Sequence, residues 1–252
     1  MKKNCLITSL STALVAALSV VESASAVSIT VSPTSAAWVN PVGGANVATS
    51  PGSSNGDDPI LISWGIPNNS GGLNPALQKS SYDYNGDPSV TFVLDQSVEV
   101  VKVGTFTHNN YQINPANPFE QVTLDLALTV AFGSTNLPLV FSTLFDHTET
   151  PNNAKPCAAG GTNPCPDLVL ANFISNIIQI DGKKYLTILG FSQDGGQTII
   201  NSFLTAENQS NPADLFLKFE LVSVPWQTDL AMATAGLLTG ALVYTRARKK
   251  LS

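Results

Sequence analysis

A chain of 252 residues with 18 Asp and Glu against 12 Lys and Arg carries a formal net charge of −6, and its length suits one large β domain or two small ones. Between Val27 and Gln227 the imbalance is steeper, sixteen acids against six bases, and a field of that sign repels phosphate backbones and anionic headgroups, so nucleic acid is not an expected partner. With two histidines in the whole chain, acid–base chemistry by imidazole has few homes.

The chain opens with Lys2 and Lys3, runs through the apolar stretch CLITSLSTALVAALSVV and reaches Ala24-Ser25-Ala26, small residues where a signal peptidase reads. That pattern predicts a signal peptide over 1–26, handled by the Sec export machinery and cut by signal peptidase before Val27. From Ser32 to Asp58 the chain is rich in Gly, Pro, Ser and Asn, which predicts a loosely structured lead-in over 27–58 rather than a separate domain.

Beyond Pro59 apolar residues recur with period two. Val122, Leu124, Leu126, Leu128 and Val130 alternate with Thr123, Asp125, Ala127, Thr129 and Ala131, and Leu215, Leu217, Phe219 and Leu221 alternate with Lys218 and Glu220, the pattern of strands with one buried face. Further strands are expected at 59–64, 89–95, 98–107, 137–145, 167–172, 174–180, 183–191 and 197–206. Asp181-Gly182 and Asp194-Gly195 suit the positive φ of tight primed turns and predict hairpins. About ten antiparallel strands with short turns predict an all-β domain over 59–223, an antiparallel β-sandwich of jelly-roll type, with a barrel as the alternative.

Few polar residues within this domain invite a chemical reading. Thr107, His108 and Asn110, at the end of one expected strand, are expected to brace the following loop, with a ligand site as the alternative. Asp146, His147 and Glu149 end another, and a transition metal could use them with His108 if the two strand ends converge; an exposed polar loop is the simpler expectation. Asp83, Asn85 and Asp87 have the look of a calcium loop, but Gly86 comes one place too early, and a turn with Asn85-Gly86 at its apex suffices. Gly190-Phe191-Ser192-Gln193-Asp194 fails as a nucleophile elbow at its fifth residue, and phosphate loops, dinucleotide fingerprints and zinc-protease helices are missing from the sequence. No enzymatic activity, metal or other cofactor is therefore expected. Trp38 and Trp64 could stack on a glycan, though a Trp inside a run such as ILISWG is more often core.

Cys5 leaves with the signal peptide. Cys157 and Cys165, separated by AAGGTNP, are expected to form a disulfide in an oxidising compartment, worth roughly 2 to 3 kcal/mol on the chain-entropy estimate. At the other end, LAMATAGLLTGALVY is followed by Arg246, Arg248, Lys249 and Lys250. A helix near 229–245 would rise about 25 Å, a short membrane span whose basic end stays cytoplasmic as an anchor.

The tail formed by Val224, Pro225 and Trp226, the apolar run and the basic end over 224–252 resembles the PEP-CTERM sorting signals that exosortase-type enzymes process in Gram-negative bacteria; Trp226-Gln227 stands where Glu-Pro is usual. Phe106-Thr107-His108-Asn109-Asn110 is similar to the signature of the THxN family of PEP-CTERM proteins, and Ser63-Trp64-Gly65 with the 77–81 region resembles the choice-of-anchor K domain. The stretch Glu149 to Asn152, then Cys157, Cys165-Pro166-Asp167, Tyr185 and Gly190-Phe191, is similar to that family's second half, so the likeness covers roughly 59–222. The resemblance implies an exported surface or matrix-associated protein, held at the inner membrane or released to the cell surface, with no assigned ligand; a surface-displayed carbohydrate-binding module is the alternative. Mass spectrometry of the unreduced, exported protein should find Cys157 and Cys165 joined in one peptide, and free thiols on both would contradict the pairing.

Overall fold

The alternation from 122 to 130 lies within a strand of fourteen residues, Phe119–Phe132, whose Val122, Leu124, Leu126, Leu128 and Val130 are all buried. It belongs to a computed structural model that describes residues 26–52, 59–67, 78–94, 98–114 and 116–222. These residues form strands and loops, with no helix among them. In chain order the strands are β1 (Val27–Gly43), β2 (Ala48–Ser50), β3 (Ile60–Trp64), β4 (Ser80–Gly86), β5 (Val90–Leu94), β6 (Val98–Asn110), β7 (Phe119–Phe132), β8 (Thr135–Thr148), β9 (Asp167–Asn172), β10 (Ser175–Ile180), β11 (Lys183–Ser192), β12 (Ser202–Thr205) and β13 (Gln209–Leu221). They make two antiparallel sheets, one of six strands in the order β12-β9-β8-β7-β1-β5 and one of seven in the order β10-β11-β13-β6-β4-β3-β2.

Three sequence expectations give way here. The lead-in over 27–58 is not loose along its length: Val27–Gly43 is β1, paired with β5 on one side and β7 on the other. Its alternation is hidden because register shifts at Pro33/Ser35 and Val39/Val42 reset which residues face inward, as bulges do. The segment from Asp83 to Asp87 is not a turn centred on Asn85-Gly86, since Ser80–Gly86 is β4, laid between β3 and β6. Tyr82 and Tyr84 fill its inner face, while Asp83 Oδ2 accepts a hydrogen bond from Asn109 on the outer face at 2.7 Å. The Asp194-Gly195 hairpin shrinks to a single antiparallel bridge with no tight two-residue turn, because β11 stays in the seven-stranded sheet and β12 joins the other. Phe191 and Ile200 are bridged across that turn, and the Asp194 carboxylate is occupied in accepting the Thr198 N–H at 2.9 Å. Asp181-Gly182 does close the β10–β11 hairpin, with φ of 48° and 76°, the left-handed pair that such a turn demands.

One core lies between the sheets, and its largest members are rings from both. Trp38 on β1 meets Tyr82 on β4 with centroids 5.8 Å apart. Phe106 on β6 stacks on Phe145 of β8 at 5.1 Å, and Trp64 at the end of β3 stacks on Phe119 at the start of β7 at 4.0 Å. Trp38 satisfies its buried N–H by donating to the Ile60 carbonyl at 3.0 Å, so it is held in orientation as well as buried. Phe106 touches Trp38, Tyr82, Phe145, Phe191 and Phe203. Phe106→Ala should destabilise the protein by about 3 to 5 kcal/mol, the cost of a large cavity that two rigid sheets cannot collapse around, read as a lowered urea midpoint with an unchanged slope.

Candidate functional site

At one end of the aromatic core the inward positions stop being apolar. The pleat of β6 sends Phe106, His108 and Asn110 inward and leaves Thr107 and Asn109 half-exposed on the other side, so only two of the three motif residues face the interior. On β8 the same alternation buries Phe141, Phe145 and His147. The two strand ends converge across the gap between the sheets, and the His108 and His147 rings lie 5.1 Å apart, edge to face. His147 is therefore no part of an exposed loop, contrary to the sequence expectation; the inward-facing set of β8 continues two residues past Phe145. Its neighbour Asp146 faces outward and accepts from Gln121 and Asn172.

Three carboxyls complete the cluster. Glu149 follows β8, Asp167 opens β9, and Glu207 lies in the link from β12 to β13. One ligand atom each from His108, His147 and Asp167 falls within 4.8 Å of the others, and the same holds for Glu149, Asp167 and Glu207. Asp167 is fully buried and Glu207 nearly so. Burial, with Glu149 beside it, raises the Asp167 carboxyl to about 6. Glu207 is pushed up to about 8 by burial and by Asp167 and Glu149. Two full negative charges at such a spacing repel by about 3 kcal/mol at an effective dielectric of about 20, and among the described residues the lysine ion pairs lie elsewhere, on Asp87, Asp214 and Glu220.

The hydrogen bonds around the cluster point its polar atoms inward. The Thr205 hydroxyl donates to the Asp167 carbonyl at 3.3 Å. With its one proton spent there, Thr205 Oγ1 must accept from His108 Nδ1, 2.9 Å away, which assigns the ring's proton to Nδ1 and leaves Nε2 with a bare lone pair. Burial, reinforced by His147, holds His108 well below the ordinary imidazole range, so the ring stays neutral. Its Nε2 is buried without a hydrogen-bond partner. Asp167 shows the same division: Oδ1 accepts the Thr150 N–H at 2.7 Å, while Oδ2 is buried and unpartnered, 3.8 Å from His147 Nε2. Asn110 donates to the Thr205 carbonyl at 3.1 Å, and its Oδ1 joins both Glu207 oxygens among the buried atoms left without partners. An orphaned buried polar atom costs about 1 to 3 kcal/mol, and such groups are rare except where a site has a use for them.

His147 Nδ1 lies 2.6 Å from the Tyr82 hydroxyl and its Nε2 3.2 Å from Glu149. Burial, together with Asp167, Glu149 and Asp146, drives the Tyr82 phenol far above its ordinary range, so the hydroxyl keeps its proton. A disulfide between Cys157 and Cys165, with Cα atoms 5.3 Å apart, ties the loop that joins Glu149 to Asp167. Thr150 binds that loop down, its hydroxyl donating to the Pro166 carbonyl at 2.8 Å, and Cys165 N–H donates to the Asn152 carbonyl at 3.2 Å.

Trp38 and Trp64, raised as glycan platforms, are core residues, since both project from inner faces of the sheets. The sorting-tail residues Val224, Pro225 and Trp226, the basic cluster Arg246, Arg248, Lys249 and Lys250, and residues 1–25 of the signal segment lie outside the described residues. In the sequence Asp167 figures only within the Cys165-Pro166-Asp167 likeness, without a site role, and Glu207 does not figure at all. Asp167 directly after Cys165-Pro166 was the one local cue, and Glu207 offered none. Comparison of the chain with protein-family models and with curated proteins gives no match.

Both raised carboxyls bind a proton more readily folded than unfolded. The folded state therefore holds more protons between the ordinary carboxyl value and the raised one, and stability must fall as pH rises through that window. His108, held neutral, works the other way below about 6.5. With chelator present the urea midpoint should therefore drop most clearly as pH goes from about 6.5 to about 8, and Glu207→Gln should flatten that fall.

Proposed function

We propose that this chain is an exported β-sandwich protein of jelly-roll type, carried out by an N-terminal signal helix over 1–26 and held at the membrane or cell surface by a transmembrane helix near 229–245. Its role on this reading is structural or matrix-associated rather than enzymatic. The observation that carries it is the pairing of two opposite termini: a basic, apolar, small-residue-ended start and an apolar run closed by Arg246, Arg248, Lys249 and Lys250, which together describe translocation with a retained cytoplasmic end. Two antiparallel sheets around one core support the sandwich. The Cys157–Cys165 bond fits an oxidising compartment.

The resemblance of Thr107, His108 and Asn110 to the THxN signature, and of Val224-Pro225-Trp226 to a PEP-CTERM tail, supports handling of the C-terminus by an exosortase-type enzyme in a Gram-negative envelope. Fractionation of the native cell with intact-mass measurement tests the reading. The expected product begins at Val27, is found in the envelope or outside the cell, and either retains the basic tail in the inner membrane or ends near Pro225 once released. A chain of full mass in the soluble cytoplasm would overturn it.

A further inference from the structure

The cluster at the end of the core has two properties that a self-contained hydrogen-bond network lacks. Its donors and acceptors are mismatched, with His108 Nε2 and Asp167 Oδ2 both buried acceptors without a hydrogen-bond donor. Three of its side chains are also held from behind by their other polar atom, His108 by Thr205, Asp167 by Thr150 and His147 by Tyr82. Side chains fixed from behind, with lone pairs aimed at a common point, are the arrangement in which outer partners orient metal ligands.

The geometry points to a divalent transition-metal site in which His108, His147 and Asp167 are the ligands, with Glu149 and Glu207 beside Asp167 as further oxygen donors. Two imidazole nitrogens with carboxylates suit zinc, manganese, iron or cobalt, whereas calcium takes oxygen ligands alone. Atoms bound about 2.1 Å from one ion lie about 3.4 Å apart in a tetrahedron and at most about 4.2 Å apart. His147 Nε2 and Asp167 Oδ2 are 3.8 Å apart, and the ligand atoms of the set all lie within 4.8 Å of one another, so side-chain movements of about an ångström close it. The cation supplies the missing partner for His108 Nε2 and Asp167 Oδ2 and neutralises the acids, the lysine ion pairs of the described residues lying elsewhere. Because the three ligands His108, His147 and Asp167 are buried, the ion is structural. His108 comes from the seven-stranded sheet and His147 and Asp167 from the six-stranded one, so the metal ties the sheets together at the end where the aromatic core stops. The assignment stands whether or not the chain is exported.

The full-length chain, purified in mild detergent without chelator, tests this by elemental analysis and by Co2+ binding after stripping. The expected result is one transition-metal ion per chain and a visible Co2+ d–d spectrum that His108→Gln and Asp167→Asn abolish and the exposed Glu120→Gln preserves. Zn2+ affinity should fall about 100-fold or more in the two ligand variants. It should fall about ten-fold in Thr205→Val, which keeps every ligand but loses the hydroxyl that orients His108. If His108→Gln does not fold, the stripped wild-type chain decides, since its melting temperature must rise with Zn2+ and not with Ca2+. A stripped chain that takes up no Zn2+, Mn2+ or Co2+ at micromolar free metal, or binding that Asp167→Asn leaves unchanged, overturns the site.

Discussion

The pleat of β6 and β8 dictates the rest. A strand has only two faces, so once Phe106 and Phe145 are committed to the space between the sheets, residues two and four places on must follow them inward whatever their chemistry. His108, Asn110 and His147 are interior for that reason. The fold then has to supply partners for buried nitrogen and oxygen, and it does so asymmetrically: hydroxyls and a backbone N–H hold His108, His147 and Asp167 from behind, while His108 Nε2 and Asp167 Oδ2 in front have none. Aromatic packing and polar cluster are thus two stretches of one interior, separated by about one turn of the pleat.

That view also accounts for what the chain's letters reveal. β7 and β13 are plain in the sequence because Val, Leu and Phe at every second place alternate with residues that are mostly polar or small, and the pairing of β7 with β8 runs without a register shift. β1 is obscured because its register against β7 shifts at three places, the first at Pro33/Ser35, so Trp38 is inward out of step with Ile29 and Val31. β4 is obscured for another reason. Its outward Asp83 and Asn85 are turn formers, and the signal lay in Tyr82 and Tyr84, which a reader attending to the acids passes over. The Asp194-Gly195 turn has hairpin chemistry but is followed by a strand that changes sheets, a tertiary choice with no local mark.

The candidate site divides along the same line. His108 and His147 could be paired as a suggestion, since each sits at the end of an alternating run, but their 5.1 Å separation depends on how two sheets pack. Asp167 and Glu207 come from β9 and from the β12–β13 link, brought in by strand order alone. Thr205 and Thr150 look ordinary in the sequence, and their importance lies in the one proton each can give. The short disulfide loop matters in this setting for where it leads, because it lies in the link from Glu149 to Asp167 and Asp167 comes just after Cys165-Pro166.

The place of β13 in its sheet carries a mechanical meaning. It is the last strand described, yet it sits in the interior of the seven-stranded sheet, laddered to β6 along nearly its whole length and to β11 on the other side. A pull transmitted through the chain just after Leu221, along the strand axis, would load both ladders at once in shear instead of peeling hydrogen bonds one by one. Such a body resists extraction by a tether on that side and yields only when much of the sheet gives way together. A strand at the rim, such as β10, would unzip under far less force.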